Sequence, residues 1–255
     1  AEINTIERWN TTNVDWTWQN TITYSRAFAE KHNFSLMVGN TMEEYNGKDL
    51  WGYGEGVPNN TDAMRELNAA TKNRNSGGNS WSSSVMSYLS RFSYNYDSKY
   101  YFTGTFRRDG SSKFMENNKW ANFPSASVSW RILNEGFMES AKEVLSDLRF
   151  RAGWGKVGNQ GLPDAVYQSK IKQGFYIIGD NIVDTTYPDT MANKDIKWET
   201  VEDISFGLDF GLWKNKLSGS LEYYQKKTND MIFKKQFPTY SGFPGYATIW
   251  TNVGA

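Results

Sequence analysis

The sequence has no cysteine and a single histidine, His32, among its 255 residues. The first absence excludes disulfides and thiolate metal ligands, and the second excludes any metal site built from several histidines. No apolar run approaches 18 residues, which excludes a transmembrane helix. Basic and acidic residues number 28 each, so the net charge offers no bulk attraction to nucleic acid. We therefore expect no metal, no cofactor and no nucleic-acid partner.

Aromatic residues are what the sequence has in excess. Eleven Trp, 15 Tyr and 15 Phe make up 16% of the chain. They occur together with many Ser, Thr, Asn and Gly residues, a composition that favours β-structure. It also suits an amphipathic setting, because an aromatic side chain can have one apolar end and one wet end.

The dominant periodicity along the chain is two residues, which is typical of strands with two unlike faces. In the segment 203–212, one face carries the apolar side chains and the other carries the polar ones: Phe206, Leu208 and Phe210 against Asp203, Ser205 and Asp209. The same alternation predicts eight strands of roughly ten residues. They lie at about 14–26, 34–44, 86–96, 100–109, 123–132, 148–155, 203–212 and 216–228.

The connections between these strands alternate in length. One set is short: 29–33, 97–99 and 213–215. A somewhat longer link of the same set, 133–147, is predicted to hold a short helix around Glu139–Leu145. The other set is longer: 45–83, 110–122, 158–196 and a segment that begins near 233. This alternation predicts an up-and-down meander with two unlike ends. Within 45–83, the stretch Thr61–Asn68 is predicted to form a short helix.

A soluble sandwich could show the same alternation, but three features favour a membrane barrel. Strands of nine to eleven residues span a bilayer when tilted. Aromatic side chains concentrate near strand ends, as in the girdles of such barrels. Charged residues such as Arg149, Arg151 and Asp209 occupy the middle of the polar face, which a wet lumen tolerates and a dry core does not. We therefore predict an all-β, antiparallel, up-and-down transmembrane β-barrel segment.

An ordered series of short motifs carries a resemblance to a known family. The motifs are FRRDGSSKF (106–114), NKW (118–120), FPS (123–125), VSWRI (128–132), LRFRAGWG (148–155), GNQ (158–160), KWET (197–200), GLDFG (207–211), YYQKKT (223–228) and NVG (252–254). Together they resemble the SusC/RagA family of TonB-dependent outer-membrane transporters of Bacteroidetes. The resemblance covers nearly the whole chain.

The resemblance implies a large plugged barrel of about 22 strands in the cell outer membrane. Residues 1–255 would then be an internal part of that single barrel domain, with the plug and the carboxy-terminal strands absent. It further implies import of glycan oligosaccharides or peptides, a SusD-like lipoprotein that lids the extracellular side, and energy supplied by the TonB complex through the missing plug. No catalytic constellation is found, so we expect no enzyme.

Two sets of residues are candidates for binding. Arg107 and Asp109 lie on the polar face, where they form either a charged lumen site or, as we favour, an ion-paired rim. Aromatic residues in the long connections could stack on a sugar, or equally could pack loops or meet a partner: Trp51, Tyr53, Trp81, Trp120 and Tyr176. The long connections are expected on the extracellular side.

The alternative function is an extracellular, β-rich carbohydrate-binding or glycan-processing module. Two carboxylates facing each other across a groove would favour glycan hydrolysis. The alternating short and long connections, together with outward-facing aromatic residues, favour the transporter.

Overall fold

The computed structural model describes residues 4–238, 240 and 247–254. Strands make up most of this part of the chain: β1 (Thr5–Phe28), β2 (His32–Glu55), β3 (Lys72–Tyr96), β4 (Tyr100–Ser111), β5 (Trp120–Arg131), β6 (Leu145–Asn159), β7 (Lys170–Ile178), β8 (Asn181–Met191), β9 (Glu199–Leu212), β10 (Leu217–Asn229), β11 (Met231–Gln236) and β12 (Thr248–Val253). The helical segments are short 3-10 turns: Asp62–Met64, Leu67–Ala69, Glu116–Asn118, Ile132–Asn134 and Gly136–Glu143. In the described residues, we find no helix with the length and apolar character needed to cross a membrane.

The strands form two sheets. The larger sheet has eight strands in the order β1-β2-β3-β4-β5-β6-β9-β10, and the smaller has the order β11-β12-β8-β7. The larger sheet confirms the eight predicted strands and their up-and-down order, although β1, β2 and β3 have 24, 24 and 25 residues rather than roughly ten. It is open in this chain, because β1 and β10 are its two edges.

The chain divides into two compact units, each described separately here. Unit 1 comprises Ala1–Trp18 and Glu43–Ser84, and therefore holds one end of each of the first three strands. Unit 2 comprises Gln19–Met42 and Val85–Ala255, and holds the remaining strands.

The apolar face of unit 2 can be followed across the sheet by its register. One row of directly paired residues runs from β4 to β10: Phe102, Val128, Ala152, Phe206 and Tyr223. These side chains remain open to the surroundings, since Phe206 is 45% and Tyr223 is 64% exposed. A continuous apolar surface of this kind is unusual for a protein surrounded by water.

The opposite face of unit 2 is polar. The row next to the apolar one pairs Thr103, Ser127, Gly153, Ser205 and Tyr224. The two-residue alternation predicted from the sequence is thus present across five strands in register. A shift of one residue in any strand would exchange its two faces, so the register itself is specified by this pattern.

Hydrogen bonds join neighbouring short turns of unit 2. The Asp97 amide donates to the Lys31 carbonyl at 2.8 Å, and the Arg131 amide donates to the Lys99 carbonyl at 2.7 Å. Glu135 accepts hydrogen bonds from the Tyr100 hydroxyl at 2.5 Å and from Trp130 Nε1 at 3.0 Å. These two donors, in that order of importance, lower the pKa of the Glu135 carboxyl from its usual value, and Lys99 adds to the effect.

The structure corrects the prediction for residues 45–83. Residues 45–55 continue β2 and residues 72–83 belong to β3, so only 56–71 lies outside the strands. The predicted helix at Thr61–Asn68 is two separate 3-10 turns. The sequence pattern failed here because both faces of these strand segments carry polar residues, so no apolar period marks them.

The structure also corrects the prediction for residues 158–196, where β7 and β8 form a hairpin. Its turn contains Gly179, whose φ of +63° is a conformation that glycine adopts without strain. A Gly-Asp pair between two β-branched runs is a hairpin signal that the strand pattern overlooked. The short helix predicted around Glu139–Leu145, in the link between β5 and β6, is a 3-10 segment that spans Gly136–Glu143, and Leu145 already belongs to β6.

The buried core lies among the connections of unit 2 and beside the start of β5. It consists of Phe114, Phe123, Leu162, Val166, Ile196 and Trp198. Trp198 is central, because its ring stacks on Phe114 at 5.0 Å and meets Phe123 edge-on at 5.5 Å. Its indole Nε1 donates to the Lys119 carbonyl at 3.1 Å, so Trp198 joins the connection before β9 to the connection between β4 and β5.

We predict that Trp198→Ala loosens these connections. Removing a buried indole costs about 3–5 kcal/mol of packing energy, which should raise amide hydrogen exchange in residues 160–168 and 111–119. Trp213→Ala is the matched control, because Trp213 lies in an exposed turn. Equal exchange in the two variants would contradict this account of the core.

Candidate functional site

An ion pair anchors the polar face of unit 2 on β4. Arg107 Nε donates to both carboxylate oxygens of Asp109, at 2.7 and 2.8 Å. Arg107 Nη2 also donates to the Ser87 hydroxyl on β3 at 3.1 Å. Asp109 is only 8% exposed, so the pair is held against the sheet. Arg107 and Asp109 are therefore ion-paired on this face.

A second ion pair lies on the same face, between β6 and β9. Arg151 donates from Nε and Nη2 to the two oxygens of Asp209, at 2.8 and 2.9 Å, which is the bidentate arrangement that arginine favours. The third aspartate, Asp203, lies 3.9 Å from the Lys226 ammonium on β10. These carboxylates therefore sit beside basic groups, which differs from the acid and base pair of a glycosidase.

Trp120 lies on the opposite, apolar face, as the first residue of β5. Its ring covers Gly110, where an added Cβ would come within 2.8 Å of the indole. Tyr88 stacks beside it at 6.0 Å, and the Arg108 guanidinium lies 5.3 Å from its ring centre. The ring is therefore separated by the sheet from Arg107 and Asp109.

Tyr176 lies in β7, in the exposed hairpin. It is 65% exposed, and its neighbours Phe175, Ile177 and Ile178 are also open to the surroundings. This hairpin therefore presents an apolar surface.

Trp51, Tyr53 and Trp81 belong to the strands of unit 1 rather than to loops. Trp51 lies over Gly77, and Trp81 lies over Gly47; a Cβ on either glycine would overlap the indole. Each indole therefore lies against the backbone of the neighbouring strand. The Tyr53 hydroxyl donates to Glu55 at 2.9 Å.

Trp9 is a member of this group that the sequence reasoning missed. Its ring centre lies 5.9 Å from that of Trp51, with the planes inclined by 32°. It was missed because β1 was predicted to begin near residue 14, whereas the strand begins at Thr5. The strand pairing of β1 with β2 is what brings the two rings together.

The ion pair on β4 yields a stability prediction. Asp109→Asn keeps the shape of the side chain but removes its charge, so it should destabilise the fold by about 1–2 kcal/mol through the weakened bonds to Arg107. Asp203→Asn is the control, because its basic partner lies farther away. The thermal unfolding midpoint of each variant measures the effect, and a larger loss for Asp203→Asn would contradict the prediction.

Comparison with known proteins gives a consistent result. Residues 2–255 match the family described as TonB dependent receptor-like, beta-barrel. TonB-dependent receptor P3 of Formosa agariphila is 32% identical over 93% of this chain, and TonB-dependent receptor SusC of Bacteroides thetaiotaomicron is 31% identical over 88%. The solved RagAB peptide transporter superposes with a TM-score of 0.85 and 27% identity over 97% of this chain.

The matches cover only part of each larger protein. The chain spans 23% of P3, 22% of SusC and 27% of the RagAB chain. The match to the family runs through both units, and the kinship to SusC and RagA confirms the resemblance read from the sequence motifs. The chain belongs to the TonB-dependent receptor β-barrel family.

Proposed function

We propose that this chain is part of the barrel wall of an outer-membrane transporter that imports its substrate with energy from the TonB complex. The observation that carries the proposal is the two-faced sheet of unit 2, with an exposed apolar face and an ion-paired polar face. A lipid-facing outer surface and a wet lumen require this combination. The role is transport, without chemical change of the substrate.

The strand dimensions support this assignment. A tilted strand needs about 9–11 residues to span the hydrocarbon core, while β1, β2 and β3 have 24, 24 and 25 residues. These three strands must therefore continue well outside the membrane. We assign the end with the long connections to the extracellular side, because such barrels keep short turns in the periplasm.

The partner and cargo follow from the same proposal. A SusD-like lipoprotein would cover the extracellular side, and the exposed apolar β7–β8 hairpin around Tyr176 suits contact with it. The cargo would be a glycan oligosaccharide or a peptide; RagAB, a relative in structure, is described as a peptide transporter. Arg107 and Asp109 would line the lumen, while Trp120 suits the aromatic girdle at the lipid interface.

Orientation can be tested with an inserted peptide tag. Residues 58–60 suit the insertion, because they lie in the connection between β2 and β3 and outside both strands. A tag at 58–60 should be reachable by antibody on intact cells. A tag in the turn 97–99 should be reachable only after the outer membrane is opened. The reverse pattern would contradict the assigned orientation.

Transport can be tested by shortening the β7–β8 hairpin. Replacing residues 172–189 with a short Gly-Ser linker in the full-length receptor should reduce both lipoprotein capture and uptake, because the apolar contact surface is lost. A matched strain without TonB should lose uptake while keeping lipoprotein capture. Normal uptake in the strain without TonB would contradict the proposed function, and normal lipoprotein capture by the shortened receptor would contradict the role of the hairpin.

A further inference from the structure

One face of unit 1 combines flat aromatic rings with acidic and amide side chains. We call it the aromatic wall and define it by the odd-numbered residues of 7–15, 43–55 and 73–81. Its rings are Trp9, Tyr45, Trp51, Tyr53 and Trp81. The contact between Trp9 and Trp51, and the position of Trp51 over Gly77, place the three strands' odd-numbered residues on one face.

The glycines determine how the indoles are presented. Because Gly77 and Gly47 have no Cβ, Trp51 and Trp81 rest against the neighbouring strand's backbone. One side of each indole is covered by the sheet, and the other side faces away from it. Trp9 beside Trp51 is 61% exposed, so a ligand can reach the pair. An indole held flat on the sheet can stack on a sugar ring, because its electron-rich face attracts the C–H groups of the sugar.

Polar groups that can form hydrogen bonds with sugar hydroxyls lie on the same face as the rings. The wall carries the amides Asn13, Asn73, Asn75 and Asn79. The Asn73 amide donates to Glu55 at 2.7 Å, and the Asn79 backbone N–H donates to Asp49 at 2.6 Å, so the carboxylates are held in place. Carboxylates and amides together offer acceptors and donors, which is what vicinal hydroxyl groups need.

The strands of unit 1 carry their basic residues on one face, which also holds Glu44, and their other acidic residues on the opposite face. Acidic residues of the wall are Glu7, Asp15, Glu43, Asp49 and Glu55. The basic residues of these strands have even numbers and so belong to the opposite face: Arg8, Lys48, Lys72 and Arg74. The hydrogen-bond donors to Glu43 and Glu55 are neutral, namely Tyr45 at 2.6 Å, and Tyr53 and Asn73. The wall therefore keeps its negative charge, which repels anionic ligands.

We propose that the aromatic wall binds neutral oligosaccharides and discriminates against uronate-containing or sulfated ones. Stacking on Trp9 and Trp51 supplies the attraction, and the carboxylates and amides orient the hydroxyls. A peptide rich in lysine is the other ligand that acidic, aromatic surfaces attract, through cation–π contacts. The flat seating of the indoles and the interleaved amides favour the sugar. The inference rests on the proposed function and names the substrate class for it.

The test uses the full-length receptor purified in detergent and measures dissociation constants by calorimetry. The probes are neutral hexasaccharides of glucose, mannose and xylose, the anionic hexagalacturonate, and octalysine. At least one neutral probe should bind, and Trp51→Ala and Trp9→Ala should each weaken it by about tenfold or more. Trp51→Phe should retain most of the affinity. Trp16→Ala is the matched control, because Trp16 lies on the same strand as Trp9 but on the opposite face, and it should change nothing.

The relative affinity for anionic and neutral probes is a second readout, because it would not change if the wall carboxylates had only a structural role. The double variant Asp15→Asn with Glu43→Gln should improve hexagalacturonate binding at low salt by a larger factor than any change it causes in binding of the neutral probe. Failure of every neutral probe to bind, equal loss in Trp16→Ala, or tighter binding of octalysine would overturn the inference. Uptake by cells separates the two proposals. If import of a cargo depends on TonB but is unchanged in the wall variants, the transporter proposal stands and only the role of the aromatic wall is wrong.

Discussion

The two-residue period of an extended strand is the constraint on which this structure depends. Because successive side chains point to opposite faces, a single strand of the large sheet in unit 2 can present apolar residues on one face and polar residues on the other. The register carries that division from strand to strand, so Phe206 lies in one row and Ser205 in the next. The polar face then needs internal neutralisation, which the Arg107–Asp109 and Arg151–Asp209 pairs provide.

Aromatic residues seated on glycines recur in both units. Trp120 covers Gly110 on the apolar face, and Trp51 covers Gly77 on the wall of unit 1. A glycine weakens a strand, but a neighbouring ring that covers its backbone restores packing. This arrangement explains how a chain with 22 glycines and 16% aromatic residues can remain mostly strand. It also holds the large rings flat against the neighbouring strand.

The sequence predicted the fold best where one face of a strand is apolar. Eight strands, their order and the alternating connections followed from that pattern, as in 203–212. The pattern predicts no strand in the unit 1 parts of β1, β2 and β3, because neither face is apolar there. Trp51 and Trp81 were therefore predicted to lie in a loop. Trp9 was missed for the same reason. The seating of these rings on glycines depends on cross-strand pairing, which a single strand's sequence does not encode.

The claim that one face of unit 2 contacts lipid and the other contacts water can be tested directly by the accessibility of single cysteines. Single cysteines placed in turn at 203–210 of the full-length receptor, labelled in intact membranes, report the environment of each position. The account predicts a strict alternation: probes at 206 and 208 shielded from aqueous reagents and quenched from the lipid, and probes at 205 and 209 reached from water. Lipid quenching at 205 and 209 with water access at 206 and 208, or no alternation at all, would contradict it.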